Sequence, residues 1–307
     1  MSRNFGAGSR DMADAARIFL GRQRDVGGLS FESVAANSDR FNLFAVFAKA
    51  KGVGRMDRID DTLVIEYGLQ LAARVKAGTM KAAYAQNLVS AINTVLATAT
   101  GGRWRSVSPT KDCCIQKRSN VRTRVPGGFD LGRFDTAIEL LDQHGQAFTK
   151  MLRDFGLRSK EGALLDCNRA LREAMTKQQI TVVLGTKGGK ARTINITSQR
   201  QLKTLQAAAE AQGKARNLIP ADESWAKFQA GCMRDIRETL QAQGIEKLHD
   251  LRASFACARY EQITGFLAPV FTGVIQDRAR DLEARSQISI EIGHERIEVN
   301  GYVGGRK

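Results

Sequence analysis

The sequence is poor in the residues that build metal sites and disulfide frameworks. Only three histidines occur in 307 residues, so a histidine-rich metal site is hard to assemble. The five cysteines are an odd number and none has CxxC spacing, which argues against a disulfide framework and against a zinc ribbon. We therefore expect no metal and no cofactor, and we interpret the cysteines as buried or incidental thiols.

Long hydrophobic runs and acidic residues are also scarce. The segment Met1–Arg10 is polar and rich in glycine, without the apolar core of a signal peptide, so we expect a cytoplasmic protein with no membrane role. The chain has 47 Lys and Arg side chains against 32 Asp and Glu, which gives a formal charge of +15. A surface this positive attracts polyanions, and nucleic acid is the leading candidate.

The first part of the chain has the periodicity of a helical domain. Apolar residues recur at helical spacing over residues 38–99, and a further helix is predicted over 11–22, so about four helices are expected. Asp61 and Thr79 are placed to cap two of them. The clearest apolar stripes are Phe41, Phe44 and Phe47, and Tyr84, Leu88, Ile92 and Leu96. These patterns predict an N-terminal helical domain over residues 1–102.

A basic stretch follows this domain. Seven basic residues stand against a single acid, Asp112, and the stretch ends in Pro-Gly-Gly at 126–128, just before another helix is predicted. Most such runs are simply solvated surface, but a linker that crosses a phosphate backbone needs this charge. We predict an interdomain linker over residues 103–128 that contacts DNA through Arg103, Arg105, Lys111, Lys117, Arg118, Arg122 and Arg124.

The remainder, residues 129–307, is predicted to be a second domain that is mainly helical and contains a small β-hairpin. The β-branched segments 180–184 and 193–196 flank a turn rich in Gly and Lys, which is typical of a hairpin. Helices are predicted over residues 134–153, 161–173, 198–212, 224–243 and 250–263. The chain as a whole is therefore predicted to be α+β with helix predominating.

Two short motifs in this domain have polar residues in unusual settings. In Phe-Gly-Leu-Arg-Ser-Lys-Glu, Arg158 follows a Gly-Leu break, and Glu161 could hold its guanidinium in a fixed orientation. The hairpin turn presents Lys187 and Lys190 to a polyanion. The turn is not a phosphate-binding P-loop, because it has too few residues before its Gly-Lys pair, lacks the following Ser or Thr, and joins two strands.

Two further motifs complete an ordered series. In Leu-His-Asp-Leu-Arg, His249 and Arg252 are three residues apart and fall on one helix face. Ile-Gly-His then introduces His294, and Tyr302 follows eight residues later. Each residue alone is more often an ordinary core or surface group, and it is their order that is distinctive.

The series Arg158, Lys187, His249, Arg252, His294, Tyr302 resembles the active site of tyrosine recombinases, the phage integrase family, and in particular of integrases of prophages and integrative elements. The resemblance implies a core-binding DNA domain followed by a catalytic domain. It implies site-specific recombination through a 3′-phosphotyrosine, without metal or ATP. Its implied partners are double-stranded DNA, a homotetramer on two DNA sites, and an accessory DNA-bending or directionality protein.

The resemblance also implies a role for each residue. Tyr302 is the expected nucleophile, and Arg158 and Arg252 are expected to bind the phosphate oxygens with geometrically fixed donors. Lys187 is the expected general acid for the 5′-oxygen, with Lys190 as the alternative. His249 and His294 are expected to assist proton transfer from the tyrosine and to hold a phosphate oxygen, in an order that the sequence leaves open.

Three departures from the family's pattern leave alternatives. The interval from His294 to Tyr302 is one residue shorter than is typical, the charged stretch 276–285 indicates an inserted helix extension, and only five residues follow Tyr302. One missing residue would rotate a helical tyrosine by roughly 100° unless the intervening turn absorbs the change. A DNA-binding relative that does not cleave, and a topoisomerase-like enzyme, therefore remain as alternatives.

Overall fold

The computed structural model of the chain describes residues 2–294 and 299–305. The chain divides into two compact units, Met1–Ser119 and Asn120–Lys307. The division falls inside the stretch 103–128 that the sequence predicts as a linker. No helix among the described residues is long and apolar enough to cross a membrane.

The first unit contains the four predicted helices. They are α1 (Met12–Asp25), α2 (Phe31–Ala50), α3 (Asp61–Lys76) and α4 (Ala82–Ala99). The side chain of Asp60, rather than that of Asp61, caps α3 by accepting a hydrogen bond from the Leu63 amide at 2.8 Å. Thr79 was predicted to cap α4, but that helix begins only after Lys81. The first prediction was displaced by one residue, because adjacent acids offer equivalent caps to a sequence pattern. The second was wrong, because the Thr79 hydroxyl instead donates to the Arg74 carbonyl at the end of α3.

Aromatic packing forms the centre of the first unit. The rings of Phe44 and Tyr67 meet edge to face with their centroids 5.3 Å apart, and Phe41 is fully buried beside them. Three members of the predicted α4 stripe are buried, but Tyr84 is 44% exposed. That residue lies in the first turn of the helix, where the stripe has not yet reached the core.

Much of the basic stretch packs against the first unit. Val107, Cys113 and Ile115 are buried in its core. On α4, Asn93 accepts a 2.9 Å hydrogen bond from the Trp104 indole and donates a 2.8 Å bond to the Val107 carbonyl. These contacts tie the segment to α4 over residues 104–115.

The second unit contains eleven short helices among its described residues. They are α5 (Leu131–Glu139), α6 (Gln143–Asp154), α7 (Ser159–Leu164), α8 (Cys167–Lys177), α9 (Gln199–Gln212), α10 (Trp225–Ala230), α11 (Cys232–Ala242), α12 (Leu248–Thr264), α13 (Pro269–Thr272), α14 (Arg278–Glu291) and α15 (Asn300–Val303). Three single helices in the prediction are pairs in the structure. Asp142 caps α6 through the Gly145 amide, Asp166 caps α8, and Gly231 separates α10 from α11.

A single hairpin interrupts these helices. β1 (Gln179–Val182) and β2 (Arg192–Asn195) pair antiparallel, with Ile180 opposite Ile194. Their inward apolar side chains are buried, so the hairpin packs on the helical core through one face. The turn between the strands carries Lys187 and Lys190, as the sequence predicts.

Helix α12 lies at the centre of the second unit and packs against α6, α14 and α15. It is buried on nearly every side, including its polar residues Asp250, Arg252 and Ser254. A helix that buries charge in this way must give that charge partners. Those partners come from the loops and helices that surround it.

Candidate active site

Five of the six predicted catalytic side chains converge at the N-terminal end of α12. His249 and Arg252 occupy its first turns, while the others reach it from separate elements. Arg158 precedes α7, His294 follows α14, and Tyr302 lies on α15. The sixth, Lys187, lies on the hairpin turn.

The guanidinium of Arg252 is fully buried and held by main-chain carbonyls. Its two terminal nitrogens donate to the carbonyl oxygens of Gly156 and Ile292, and its Nε lies 3.3 Å from the Tyr302 hydroxyl. Burial lowers the pKa of Arg252 to about 10, which leaves the group charged at neutral pH. One terminal nitrogen also lies 3.7 Å from the Glu161 carboxylate, so one of the five N–H groups remains for another acceptor.

The carbonyl of Gly156 reaches Arg252 through a close approach that requires glycine. Its φ is +59°, and a Cβ added there would lie 2.4 Å from the Phe255 ring. Any larger residue would push the Gly156 loop away from α12. The Gly-Leu break noted in the sequence therefore sets the spacing between Arg158 and Arg252.

Arg158 is oriented by the carboxylate that the sequence suggested. Glu161 accepts from the Arg158 amide at 2.7 Å and from its guanidinium at 2.6 Å. The Glu161 side chain is fully buried, whereas 24% of the Arg158 side chain is exposed. Glu161 thus holds the Arg158 guanidinium in place while part of the Arg158 side chain remains exposed.

Glu161 has a second partner that was not predicted. Arg192, on the inward face of β2, donates both terminal nitrogens to the Glu161 carboxylate at 2.7 and 2.6 Å. Its Nε donates to the Glu291 carbonyl at 2.8 Å. Burial opposes ionisation of Glu161, but the hydrogen bonds and charge of Arg192 and Arg158 outweigh it and lower its pKa to about 2. One carboxylate therefore balances several buried cations.

The Tyr302 hydroxyl lies among these groups despite the shortened interval before it. It is 3.1 Å from His294 Nε2 and 3.3 Å from Arg252 Nε. The Tyr302 ring is edge-on to the His294 imidazole and lies 5.3 Å, centroid to centroid, from His249. Only 6% of Tyr302 is exposed. Residues 295–298, which lie between His294 and α15, are outside the described residues.

Both imidazoles have a pKa below the ordinary histidine value. Burial, followed by the charges of Arg252 and Arg158, lowers the pKa of His294 to about 4. The pKa of His249 is also lowered, by packing of the ring among its neighbours and then by Arg252, although part of this side chain remains exposed. The two histidines are therefore neutral at pH 7, and a neutral imidazole can accept a proton.

The two lysines of the hairpin turn are exposed at its tip. The charge of Lys187 contributes to the lowered pKa of His294, so this ammonium lies within electrostatic range of the site. The turn contains Gly188 and Gly189, both with positive φ. Because glycine has no side chain, the backbone is uncovered at these two positions. Lys187 is thus placed near the site on an open turn.

The basic stretch divides into two groups in the structure. Arg122 is largely buried, donates to Asp250 at 2.7 Å, and its amide donates to the Asn300 carbonyl at 2.9 Å. Arg124 forms an exposed ion pair with Glu246. Five of the predicted DNA-contacting residues have exposed side chains, namely Arg103, Arg105, Lys111, Lys117 and Arg118.

Comparisons with known proteins give one family match and several similar folds. Residues 131–258 match the family model described as Integrase. The fold is similar to XerH site-specific recombinase bound to its difH substrate, with a TM-score of 0.60, 14% identity, and coverage of 96% of this chain and 81% of that one. Residues 131–258 thus match the integrase family, and the fold of the chain is similar to that of site-specific recombinases.

Two further integrase structures have a similar fold over nearly the whole of this chain. The Tn1549 transposon integrase in complex with transposon right end DNA has a TM-score of 0.62, 11% identity, and coverage of 95% of both chains. A lambda integrase tetramer bound to a Holliday junction has a TM-score of 0.54 and 13% identity, with coverage of 94% of this chain and 78% of that one. No curated protein sequence matches the chain.

The segment that matches the family model ends before the last two site residues. It contains Arg158, Lys187, His249 and Arg252, whereas His294 and Tyr302 lie beyond it. The geometry described above, rather than the family match, brings these two side chains to Arg252. The site thus has a matched part and a part that rests on the structure alone.

Sequence reasoning missed Arg192 and the role of Asp250 as the partner of Arg122. A signal for Arg192 was present, because its position alternates with Ile194 and therefore faces inward on β2. A charged residue at an inward strand position requires a buried partner. Among the described residues, no group of three or more His, Cys, Asp or Glu side chains is arranged to hold a metal ion.

Proposed function

We propose that this protein is a tyrosine recombinase, a site-specific DNA recombinase that cleaves and rejoins DNA through a 3′-phosphotyrosine at Tyr302. The observation that carries the proposal is the Tyr302 hydroxyl, which lies within hydrogen-bond distance of both His294 and Arg252. A buried cation and a neutral imidazole at one phenol oxygen are suited to making that oxygen a nucleophile.

The scissile phosphate would bind between the two arginines. A phosphodiester under attack gains negative charge on its non-bridging oxygens, and guanidinium groups supply paired, directed donors for that charge. Arg252 has one N–H group beyond its three hydrogen bonds and its contact with Glu161, and Arg158 is partly exposed while its guanidinium is bonded to Glu161. Because both cations are already fixed by the protein, little reorganisation is needed when DNA arrives.

The reaction can then be written with its protons balanced. The phenolic proton of Tyr302 passes to neutral His294, and the phenolate oxygen attacks phosphorus. The Tyr–O–P bond forms as the P–O5′ bond breaks, and Lys187 protonates the departing 5′-oxygen. His249 is left to donate to a phosphate oxygen. Attack of a 5′-hydroxyl from another strand reverses these steps and rejoins the DNA.

The partners follow from the same proposal. The substrate is double-stranded DNA, contacted by the five exposed basic residues of the stretch 103–118 and by the hairpin lysines. A homotetramer on two DNA sites is proposed because a similar lambda integrase structure is a tetramer on a Holliday junction. A role in a mobile element, with an accessory DNA-bending or directionality protein, is the setting we propose.

The proposal is tested by trapping the covalent intermediate. DNA fragments from around the encoding gene are first selected for binding by Tyr302→Phe, and the selected sites are then synthesised as nicked duplexes from which a cleaved strand dissociates. The wild-type protein should form a denaturant-resistant adduct, and Tyr302→Phe should form none. Tyr84→Phe, which changes an exposed tyrosine of the first unit, is the matched control.

Each result has a defined meaning. An adduct that persists in Tyr302→Phe would show that another residue is the nucleophile. Sequence-specific binding with no adduct for the wild type would indicate a DNA-binding relative that does not cleave. Relaxation of a single supercoiled duplex without a preferred site, accompanied by an adduct, would instead indicate topoisomerase-like activity.

A further inference from the structure

The helix that carries Tyr302 is too short to hold itself in place. α15 has four residues, and its amides at Tyr302, Val303 and Gly304 bond only to the carbonyls of Val299 and Asn300. A single turn of helix gains too few hydrogen bonds to offset the entropy of ordering its residues. The position of the hydroxyl therefore depends on contacts from outside α15.

One buried side chain contacts both ends of this helix. Arg285, on α14, is 1% exposed and donates from one terminal nitrogen to the Asn300 side-chain oxygen. Its other terminal nitrogen donates to the Gly304 carbonyl at 2.9 Å. Asn300 is the first residue of α15 and Gly304 the first residue after it. A single planar guanidinium thus fixes the length and the rotation of the helix together.

Arg285 is itself held by residues of α14 and α12. Its Nε lies 2.8 Å from both carboxylate oxygens of Asp281, and the Tyr260 hydroxyl donates to Asp281 at 2.9 Å. Tyr260 lies on α12, the helix that also carries Arg252. A continuous series of hydrogen bonds therefore links the helix of the buried cation to the helix of the tyrosine.

These contacts are separate from those of the reacting oxygen. None of Arg285, Asp281 and Tyr260 is bonded to the Tyr302 hydroxyl, whose neighbours are His294 and Arg252. Arg285 belongs to the charged stretch 276–285 noted in the sequence. That charged stretch therefore contributes a specific contact, the one from Arg285 to α15.

We propose that Arg285 is a positioning residue for the nucleophile, which acts through Asn300 and Gly304 to keep the Tyr302 hydroxyl at His294 and Arg252. The catalytic consequence rests on the proposed function, whereas the order of α15 can be measured without it. Arg285→Lys is the sharpest variant, because an ammonium can keep the ion pair with Asp281 but cannot reach both ends of α15.

The matched control is Arg259→Lys. Arg259 lies on α12 and donates from two nitrogens to Glu291 of α14 at 2.9 and 2.7 Å, so it has the same chemistry without contacting α15. Asn300→Ala is a second test variant that removes only one contact of Arg285 and avoids any change in a buried charge. All three are compared with the wild type in two measurements.

The first measurement is hydrogen–deuterium exchange of residues 299–305 in the DNA-free protein. Arg285→Lys and Asn300→Ala should exchange these amides at least about tenfold faster than Arg259→Lys. The second is the rate of adduct formation at saturating DNA. It should fall about 100-fold in Arg285→Lys, because small displacements of a reacting group have effects of that size, with DNA affinity unchanged.

The outcomes separate the two proposals. Wild-type exchange rates in Arg285→Lys would overturn the positioning role whatever the DNA chemistry. An equal loss in Arg259→Lys would also overturn it, because the effect would then come from general loosening of α14. The wild type could also fail to form any adduct while the variants still exchange faster. That result would support positioning of α15 and refute the proposed recombinase chemistry.

Discussion

The two units of this protein have different interiors. Among the described residues of the first unit, Asn4 is the only polar residue that is buried as a whole, and the rest of the core is aliphatic and aromatic. The second unit buries many charges, including Arg153, Asp154, Glu161, Arg192, Arg252, Asp281, Arg285 and Glu291. Buried ion pairs are weak contributors to stability compared with apolar packing. Their concentration in one unit therefore indicates a role in geometry. Glu161 holds Arg158 and Arg192, Arg252 lies at the Tyr302 hydroxyl, and Arg285 bonds to both ends of α15.

The largest expected effect concerns Arg252, a buried cation of the second unit. Arg252→Lys should lower the rate of adduct formation at saturating DNA by about 100- to 1000-fold, because directed donors to the phosphate are removed. DNA affinity should change by less than about threefold, since most of it comes from phosphate contacts elsewhere. Single-turnover cleavage and a binding titration measure the two quantities. Equal losses of binding and rate would assign Arg252 to DNA affinity alone.

A second prediction concerns acid stability, which should differ between the units. The pKa of Glu161 is depressed to about 2 in the folded protein, so its contribution is complete above its unfolded value near 4.5 and is lost as the pH falls toward 2. The expected loss for the second unit is roughly 3 kcal/mol. Glu161→Gln should have a lower free energy of unfolding than the wild type at pH 7. That free energy should fall less on acidification than it does in the wild type.

The two tryptophans allow this test to be made on each unit. Trp104 lies in the first unit and Trp225 in the second, so Trp104→Phe makes denaturant unfolding report on the second unit alone. The same acidification of Trp225→Phe, which reports on the first unit, should show a smaller change. Equal acid sensitivity of the two units would contradict the predicted difference in their acid stability.

A third prediction places DNA affinity on the surface of the basic stretch rather than in the buried network. Replacing Arg103, Arg105, Lys111, Lys117 and Arg118 by Gln should reduce the slope of log affinity against log salt by roughly 1 for each phosphate that is no longer neutralised. Arg122→Gln should change this slope little, because Arg122 is bonded to Asp250. An unchanged slope in the fivefold variant would identify the stretch as ordinary solvated surface.

The smallest expected effect tests the first unit. Asp60→Ala removes the cap of α3 and should lower the free energy of unfolding by about 1 kcal/mol, measured by Trp104 fluorescence in Trp225→Phe. Asp61→Ala is the matched control and should cost less, since its carboxylate acts only through the helix dipole. A larger loss of stability in Asp61→Ala than in Asp60→Ala would show that Asp61 caps α3, as the sequence predicted.

The sequence predicted the fold class and the residues that converge on Tyr302, because both depend on local signals. Helical periodicity and the β-branched segments of the hairpin are readable over a few residues, and the site motifs are short. The breaks within 134–153 and 224–243 were missed because their apolar stripes continue across Asp142 and Gly231. The roles of the individual site residues stay predictions until cleavage is measured.

What the sequence could not show are contacts between distant charges. Arg192 reaches Glu161 across 31 positions and Glu291 across 99, and no local pattern marks such partners. Arg122 looked like one more residue of a basic run, but its partner Asp250 is 128 positions away. Only the packed helices determine which basic residues of this chain are exposed and which are bonded in the interior.

The way in which Arg252 is held bears on how freely this chain can vary. Its terminal nitrogens are bonded to the main-chain carbonyls of Gly156 and Ile292, so its position does not depend on which side chains occupy those two loops, apart from the glycine itself. Substitutions around the cation can therefore accumulate without moving it. For protein engineering, this makes the other residues of these two loops suitable for exchange between relatives, provided that Gly156, Arg158, Gly293 and His294 are kept.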